Sequence, residues 1–166
     1  MHIAVVTGNP KPASRTLDAA VHLATRIAGE PPTTVVDVVD LGPGLLGWGD
    51  PTVKAAVAAV QEADVVVFAS PTYKATYTGL LKLFIDQFLA DGLTGVVAIP
   101  LMLGAGLGHA MAPDLLLKPV LVELGATCPT RGLYLLDSDF TSEEAVGPWF
   151  AASIPSIRAA TNAVLR

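Results

Sequence analysis

Apolar positions along the 166-residue chain follow two alternating rhythms. Nearly unbroken apolar or β-branched runs occupy residues 2–7, 33–40, 64–70, 95–103 and 127–136, with Val35-Val36, Val38-Val39 and Val65-Val66-Val67 inside them. A strand with one wet face alternates apolar and polar residues, so continuous runs predict parallel strands covered on both faces. Between them the rhythm is helical. Over 15–28, Leu17, Ala20, Val21, Ala24 and Ile27 form an apolar stripe, and Asp18, His22 and Arg26 step by four along an opposite, solvated face. Asp50 as N-cap and Pro51 as first helical residue predict a helix over 51–61. The next, over 79–90, carries Leu80, Leu81, Leu83, Phe84, Ile85, Phe88 and Leu89, apolar on more than the one face a sheet can cover. That excess predicts a contact with another subunit. A helix over 114–124 is expected to kink at Pro119, and a last one over 142–166 to fall into pieces at Pro148 and Pro155. No composition break divides the chain. The expectation is one α/β domain over 1–166, doubly wound, with ligands bound by the loops after strands one, three and four.

Two of those loops carry chemistry. The first reads Thr7-Gly8-Asn9-Pro10-Lys11-Pro12-Ala13-Ser14-Arg15-Thr16 and runs straight into the amphipathic helix. The hydroxyls of Ser14 and Thr16, the Asn9 amide and the cations Lys11 and Arg15 converge on a helix N-terminus, the arrangement that binds phosphate. A plain Pro-rich turn capped by Ser14 would use the same residues. The loop after strand three, Ser70-Pro71-Thr72-Tyr73-Lys74-Ala75-Thr76-Tyr77-Thr78-Gly79, offers main-chain donors and two aromatic rings. These suit a flat heteroaromatic ring, although Tyr73 and Tyr77 could equally pack the loop down. Lys82 and Asp86 have the spacing of a surface ion pair.

Together with Pro100-Leu101-Met102-Leu103-Gly104-Ala105-Gly106-Leu107-Gly108-His109, Leu117-Lys118-Pro119-Val120-Leu121 and Gly132-Leu133-Tyr134, these loops resemble the NADPH-dependent FMN reductase family, collinearly over about residues 1–137. The branch it most resembles is the flavin reductases that serve alkanesulfonate monooxygenases. The resemblance implies a flavodoxin-like three-layer sandwich, a five-stranded parallel sheet with helices on both faces, that binds FMN and takes hydride from NADPH or NADH. It implies that Asn9, Lys11, Ser14, Arg15 and Thr16 hold the ribityl phosphate. Pro71, Thr72, Tyr73, Lys74 and Thr76 would border the isoalloxazine, with Gly104, Ala105 and Gly106 along its other edge. His109, by its place at the mouth of that loop, is open to flavin or nicotinamide, and a helix cap or local packing would equally account for it. It further implies a homodimer or homotetramer and a flavin-dependent monooxygenase as partner. Two positions depart from the family pattern. Leu103-Gly104-Ala105 replaces Thr-Gly-Gly, and Leu115 stands where the alkanesulfonate branch places a tyrosine in a π-bulge linked to flavin exchange. Both lean toward a second reading, a flavin-retaining reductase of quinones, azo dyes or metal oxyanions. A flavodoxin-like electron carrier is a third.

Composition removes other classes. Ten Lys and Arg against fifteen Asp and Glu give −5, the wrong sign for a general nucleic-acid or anionic-membrane binder. A single cysteine, Cys128, excludes an intrachain disulfide, a cysteine zinc cluster and a low-molecular-weight phosphatase; it reads as a small buried residue starting strand five. Met1-His2-Ile3 enters the first strand without a signal-peptide core, so a cytoplasmic location is expected. Gly42-Pro43-Gly44-Leu45-Leu46-Gly47 matches a dinucleotide fingerprint in spelling only, because Trp48-Gly49-Asp50-Pro51 separates it from the next helix. His2 reads as structural, His22 as solvated, and Asp137, Asp139, Glu143 and Glu144 as a solvated turn. No metal ligand set is legible.

Overall fold

In the computed structural model, which describes residues 1–164, five parallel strands form one sheet. They are β1 (Ile3–Thr7), β2 (Thr34–Asp37), β3 (Val65–Pro71), β4 (Val97–Gly104) and β5 (Leu133–Leu136), in the order β2-β1-β3-β4-β5. That is the flavodoxin-like order, whose topological switch point lies between β1 and β3. Every residue of β1 and β3 is buried, as continuous apolar runs require. Alternation within the runs then decides which layer each side chain joins. Val6, Phe68 and Met102 pack with α2 (Pro51–Gln61), α3 (Gly79–Ile85) and α4 (Lys118–Glu123); Val5, Val67, Ile99 and Leu101 pack with α1 (Arg15–Ala28) and α5 (Glu143–Val164). No helix of the described residues is long and apolar enough to cross a membrane.

The edges are shorter than their apolar runs. After Asp37 the chain leaves the sheet for 3-10 turns over Val38–Leu46, where Gly42 takes φ 54° and Pro43 has no N–H to donate. The fingerprint-like glycines lie in these turns and open no helix. At the other edge Thr127 makes one isolated bridge to Val97, and regular pairing starts only at Leu133, after Pro129. Cys128 therefore lies before β5, not at its start.

Four helices also differ from expectation. In α1 the buried face is Thr16, Ala19, Ala20, Leu23, Ala24 and Ile27, while Leu17 and Val21 only flank it. Its expected solvated face meets α5. Arg26 pairs with Glu143 at 2.8 Å and lies 4.5 Å from the Phe150 ring centre, and His22 is half-buried. Helix α3 stops at Ile85, and most of its apolar excess is ordinary core: Leu81, Phe84, Ile85 and Phe88 are buried, the two phenylalanines edge to face at 5.5 Å. In place of one kinked helix over 114–124 there is a π turn, Pro113–Leu117, followed by α4. Pro119 is the second residue of α4, directly after the π turn. Helix α5 is continuous through both prolines; Pro148 and Pro155 are exposed, as are Glu144 and Ala151 four residues before them, so the freed carbonyls lie on the solvent side. Residues 165–166 of the expected helix lie outside the described residues.

Candidate active site

The carboxyl ends of β1, β3 and β4 enclose a cleft of about 380 Å³. Its floor is the loop between β1 and α1. Asn9 is buried and holds that loop closed: its amide donates to Thr16 Oγ1 at 3.0 Å and its carbonyl accepts the Lys11 N–H at 2.9 Å. Ser14 Oγ accepts the Leu17 N–H at 3.3 Å and so caps α1. The N–H groups of Arg15 and Thr16 open the helix without intrahelical acceptors, at the positive end of its dipole. Arg15 is steered by a distant segment, its guanidinium donating to the Asp137 carbonyl at 2.9 Å.

Beneath the floor, the Ala13 N–H (φ 48°) donates to Asp37 Oδ2 at 3.2 Å, while Asp37 Oδ1 is buried without a partner. Burial raises the Asp37 pKa above its ordinary 3.8; the Ala13 N–H opposes this, Asp40 adds to it and the Val39 N–H opposes it again. The folded protein thus keeps the Asp37 proton to higher pH than the unfolded chain does. The corresponding stability is present at low pH and lost as pH rises through the folded pKa. An asparagine in its place would still accept from the Ala13 N–H without carrying charge. We expect Asp37→Asn to match or exceed the parent at neutral pH, and the parent to gain on it as pH falls toward about 4. Urea midpoints across that range check this; a constant gap between the two proteins would show that Asp37 does not titrate there.

The opposite wall comes from β3 and β4. The Thr72 N–H donates to the Leu103 carbonyl at 2.6 Å, and Thr72 Oγ1 is buried without a partner at the cleft. Tyr73 lines the cleft half-exposed. Tyr73 and Thr76 exchange backbone hydrogen bonds around Lys74 (φ 52°) and Ala75 (φ 71°), the geometry of a type I′ turn. Such turns favour Asn-Gly, and each L-residue here costs about 1 kcal/mol. On the same wall a Cβ on Gly104 would sit 2.0 Å from the Tyr134 hydroxyl and 3.4 Å from Thr72 Oγ1, so a side chain there would displace the phenol. That hydroxyl donates to the Gly106 carbonyl at 2.8 Å and fixes the β4 loop.

Asn9, Lys11, Ser14, Arg15, Thr16, Pro71, Thr72, Tyr73, Gly104 and Ala105 therefore meet in one cleft. Lys74, Thr76, Gly106 and His109 do not line it. His109 ends a short 3-10 turn, Leu107–His109, and borders a separate depression of about 270 Å³ with Ala75, Met111 and Leu115. Ala13, Asp18, Leu103 and Asp137 line the cleft although the sequence singled out none of them for it. Asp137 is the informative omission: the loop after strand five opens on the same edge of the sheet. Tyr77 packs against the core, the plainer of its two readings. His2 is structural, with ring nitrogens 3.0 Å from the Glu62 carbonyl and 3.2 Å from Thr34 Oγ1. Burial, opposed by Lys118, pushes the half-buried Cys128 thiol up to about 11. It stays a thiol at neutral pH.

Residues 1–141 match the family model described as NADPH-dependent FMN reductase. The chain belongs to this family. The FMN reductase (NADPH) of Escherichia coli (strain K12) is 39% identical over 91 residues, 55% of this chain and 48% of that protein. The NADH-dependent FMN reductase SfnF of Pseudomonas putida is 32% identical over 90 residues, 54% of this chain and 48% of that protein. The chain spans about half the length of these curated relatives. Among solved structures, apo NADH:FMN oxidoreductase (EMOB) superposes with a TM-score of 0.80 at 30% identity, over 97% of this chain and 88% of that one. A flavodoxin, WrbA-like protein from Agrobacterium tumefaciens, with TM-score 0.59 and 18% identity over 98% of this chain and 95% of that one, shares the fold. This member of the FMN reductase family also keeps a π turn at Pro113–Leu117 although Leu115 replaces the expected tyrosine. The turn is held from outside: Asp114 Oδ1 accepts the Gly132 N–H at 2.9 Å, and a Cβ on Gly132 would lie 2.5 Å from Pro113.

Proposed function

We propose that the protein is a cytoplasmic NAD(P)H:FMN oxidoreductase, with FMN bound in the cleft between the β1, β3 and β4 loops. One observation carries this reading: an anion-accepting helix start lies in the same cleft as Thr72, whose buried Oγ1 has no protein partner, and as a glycine shelf at Gly104. A phosphate fits the first and a flat, acceptor-bearing ring the other two. When bound, FMN supplies the redox chemistry, taking hydride from the nicotinamide. The chain's own work is binding and orientation. Lys11, Arg15 and the opening N–H groups of α1 hold the phosphate, the Thr72 hydroxyl donates to the ring edge, and Tyr73 walls the cleft. Gly104 leaves the backbone approachable, and Tyr134 keeps the loop behind it from shifting. No side chain has to move a proton.

The relatives bear both NADPH and NADH in their names, and the reading takes either donor. Delivery of reduced flavin to a monooxygenase partner is the finer form of the proposal. Leu115 favours a second form, in which flavin stays bound and a quinone, azo dye or metal oxyanion is reduced: it is 64% exposed, beside an apolar depression rather than a tyrosine hydroxyl. Self-association is part of the proposal too, as a homodimer or homotetramer. Leu46, Trp48 and Leu89 stand 78%, 78% and 81% exposed, with Trp48 and Leu89 lining a largely apolar depression of about 490 Å³.

The test is a visible spectrum of the protein with FMN, before and after anaerobic addition of NADPH or NADH. Perturbed flavin bands that bleach on mixing are expected. Flavin that binds and stays yellow with both donors would leave a carrier, and no binding would remove the reading. Sedimentation of the same sample reads its mass, and a monomer would remove the self-association.

A further inference from the structure

We propose that Lys74 recognises a phosphate group of the pyridine nucleotide, an inference that rests on the NAD(P)H-dependent reading above. Its starting point is a mismatch between backbone and sequence. The two central residues of the Tyr73–Thr76 turn hold left-handed φ values of 52° and 71°, positions where asparagine and glycine are at ease, yet they are lysine and alanine. Packing does not account for the choice. Both side chains are exposed, and among the described residues the Lys74 ammonium makes no hydrogen bond or ion pair, whereas Lys82 and Lys118 each pair with a carboxylate. Strain of this kind persists where the residue serves something other than the fold.

Position says what it serves. Tyr73 lines the cleft and Ala75 the neighbouring depression, so Lys74 stands at the apex of the lip between them. Lys11 and Arg15 lie on the α1 side of the cleft, where Asp18 and Asp137 also line it. The lip carries its cation alone, on a protein of net charge −5. Once the floor is occupied by one phosphate, a second anionic reactant must come over the rim, and Lys74 is the cation on the β3 side of that approach. Its ammonium is a point charge on a flexible stem, suited to a mobile phosphate.

Lys74→Asn tests this without threatening the fold, because asparagine suits the left-handed turn. Binding of NADP⁺ and NAD⁺ is measured by calorimetry with the FMN-saturated protein, at two salt concentrations. We expect Lys74→Asn to bind NADP⁺ about fivefold more weakly or worse at low salt, to melt no lower than the parent, and Lys74→Arg to restore most of the affinity. Loss confined to NADP⁺ assigns the contact to the 2′-phosphate, and equal loss for NAD⁺ assigns it to the pyrophosphate. Unchanged affinity for both nucleotides, or no recovery with arginine, overturns the proposal. FMN titrations keep the two readings apart. Normal FMN binding with nucleotide affinity indifferent to Lys74 defeats this inference alone, whereas Lys74-dependent NADP⁺ binding without FMN binding defeats the flavin reading alone.

Discussion

Gly8→Ala should lower stability by about 3 kcal/mol or more, the effect of forcing one methyl group against backbone that cannot retreat. Gly8 directly follows β1, and its Cβ would lie 2.3 Å from Leu81 Cβ, 2.7 Å from Leu81 Cα and 2.9 Å from Leu81 N. Helix α3 is pinned where it meets that methyl. Thr78 Oγ1 donates to the Gly8 carbonyl at 2.5 Å and accepts the Leu81 N–H at 3.1 Å, while Ser70 Oγ accepts the Thr78 N–H at 3.0 Å. Thr78, Ser70 and Leu81 are all buried, so moving α3 away breaks hydrogen bonds that water cannot replace. The Gly8 N–H is itself bonded to the Ala69 carbonyl at 2.9 Å, which stops β1 from giving way instead. A fall of that size corresponds to a melting temperature lower by roughly 6–12 °C for a chain of this length. Gly79→Ala is the control: its Cβ would meet nothing within 4 Å, and it should change little. Parent-like melting of Gly8→Ala would mean that the β1 loop and α3 are not locked together.

That lock explains which parts of the protein could be read along the chain. The floor of the cleft was legible because its parts lie within one ten-residue stretch, Thr7 to Thr16, and the helix start that organises them is announced by Ser14. Central strands were legible for a similar reason: Val5 and Val67 need no partner's identity to mark them as buried on both sides. Features that depend on distant approach were not. Asp137 reaches Arg15 across 122 residues, and read as a solvated turn it gave no sign of lining a cleft. Tyr134 beneath Gly104 and Gly132 against Pro113 are contacts between loops that no spacing announces. The π turn belongs here as well, since Asp114 is held by an N–H eighteen residues away. The rotated face of α1 shows the same limit in a helix. Its periodicity was right, but Arg26 reaches Glu143 and Phe150 of α5, which nothing in residues 15–28 reveals. The thirteen prolines misled most at α4 and α5. Whether proline breaks a helix depends on where in it the ring falls and whether the freed carbonyl faces water, and both are settled by packing.

Arg15→Ala should weaken FMN binding by well over tenfold, the loss of a charge-assisted contact worth ~1.5–3 kcal/mol. Arg15 is the stronger of the two cations because it is already in place. One guanidinium nitrogen is held by the Asp137 carbonyl at 2.9 Å, which leaves its other N–H groups free, and less side-chain entropy is lost when phosphate arrives. Lys11 has no side-chain partner among the described residues and must order itself on binding, so Lys11→Ala should weaken FMN less. Riboflavin separates charge recognition from loop damage, since it carries the same ring and no phosphate. The parent should prefer FMN to riboflavin strongly at low salt and less so at high salt, and Arg15→Ala should lose most of that preference while binding riboflavin as the parent does. Fluorescence titration of both flavins against both proteins gives the comparison directly. Equal losses for FMN and riboflavin would mean that Arg15 acts by tying the β5 loop to α1 through Asp137, and an unchanged FMN affinity would place the phosphate elsewhere in the cleft.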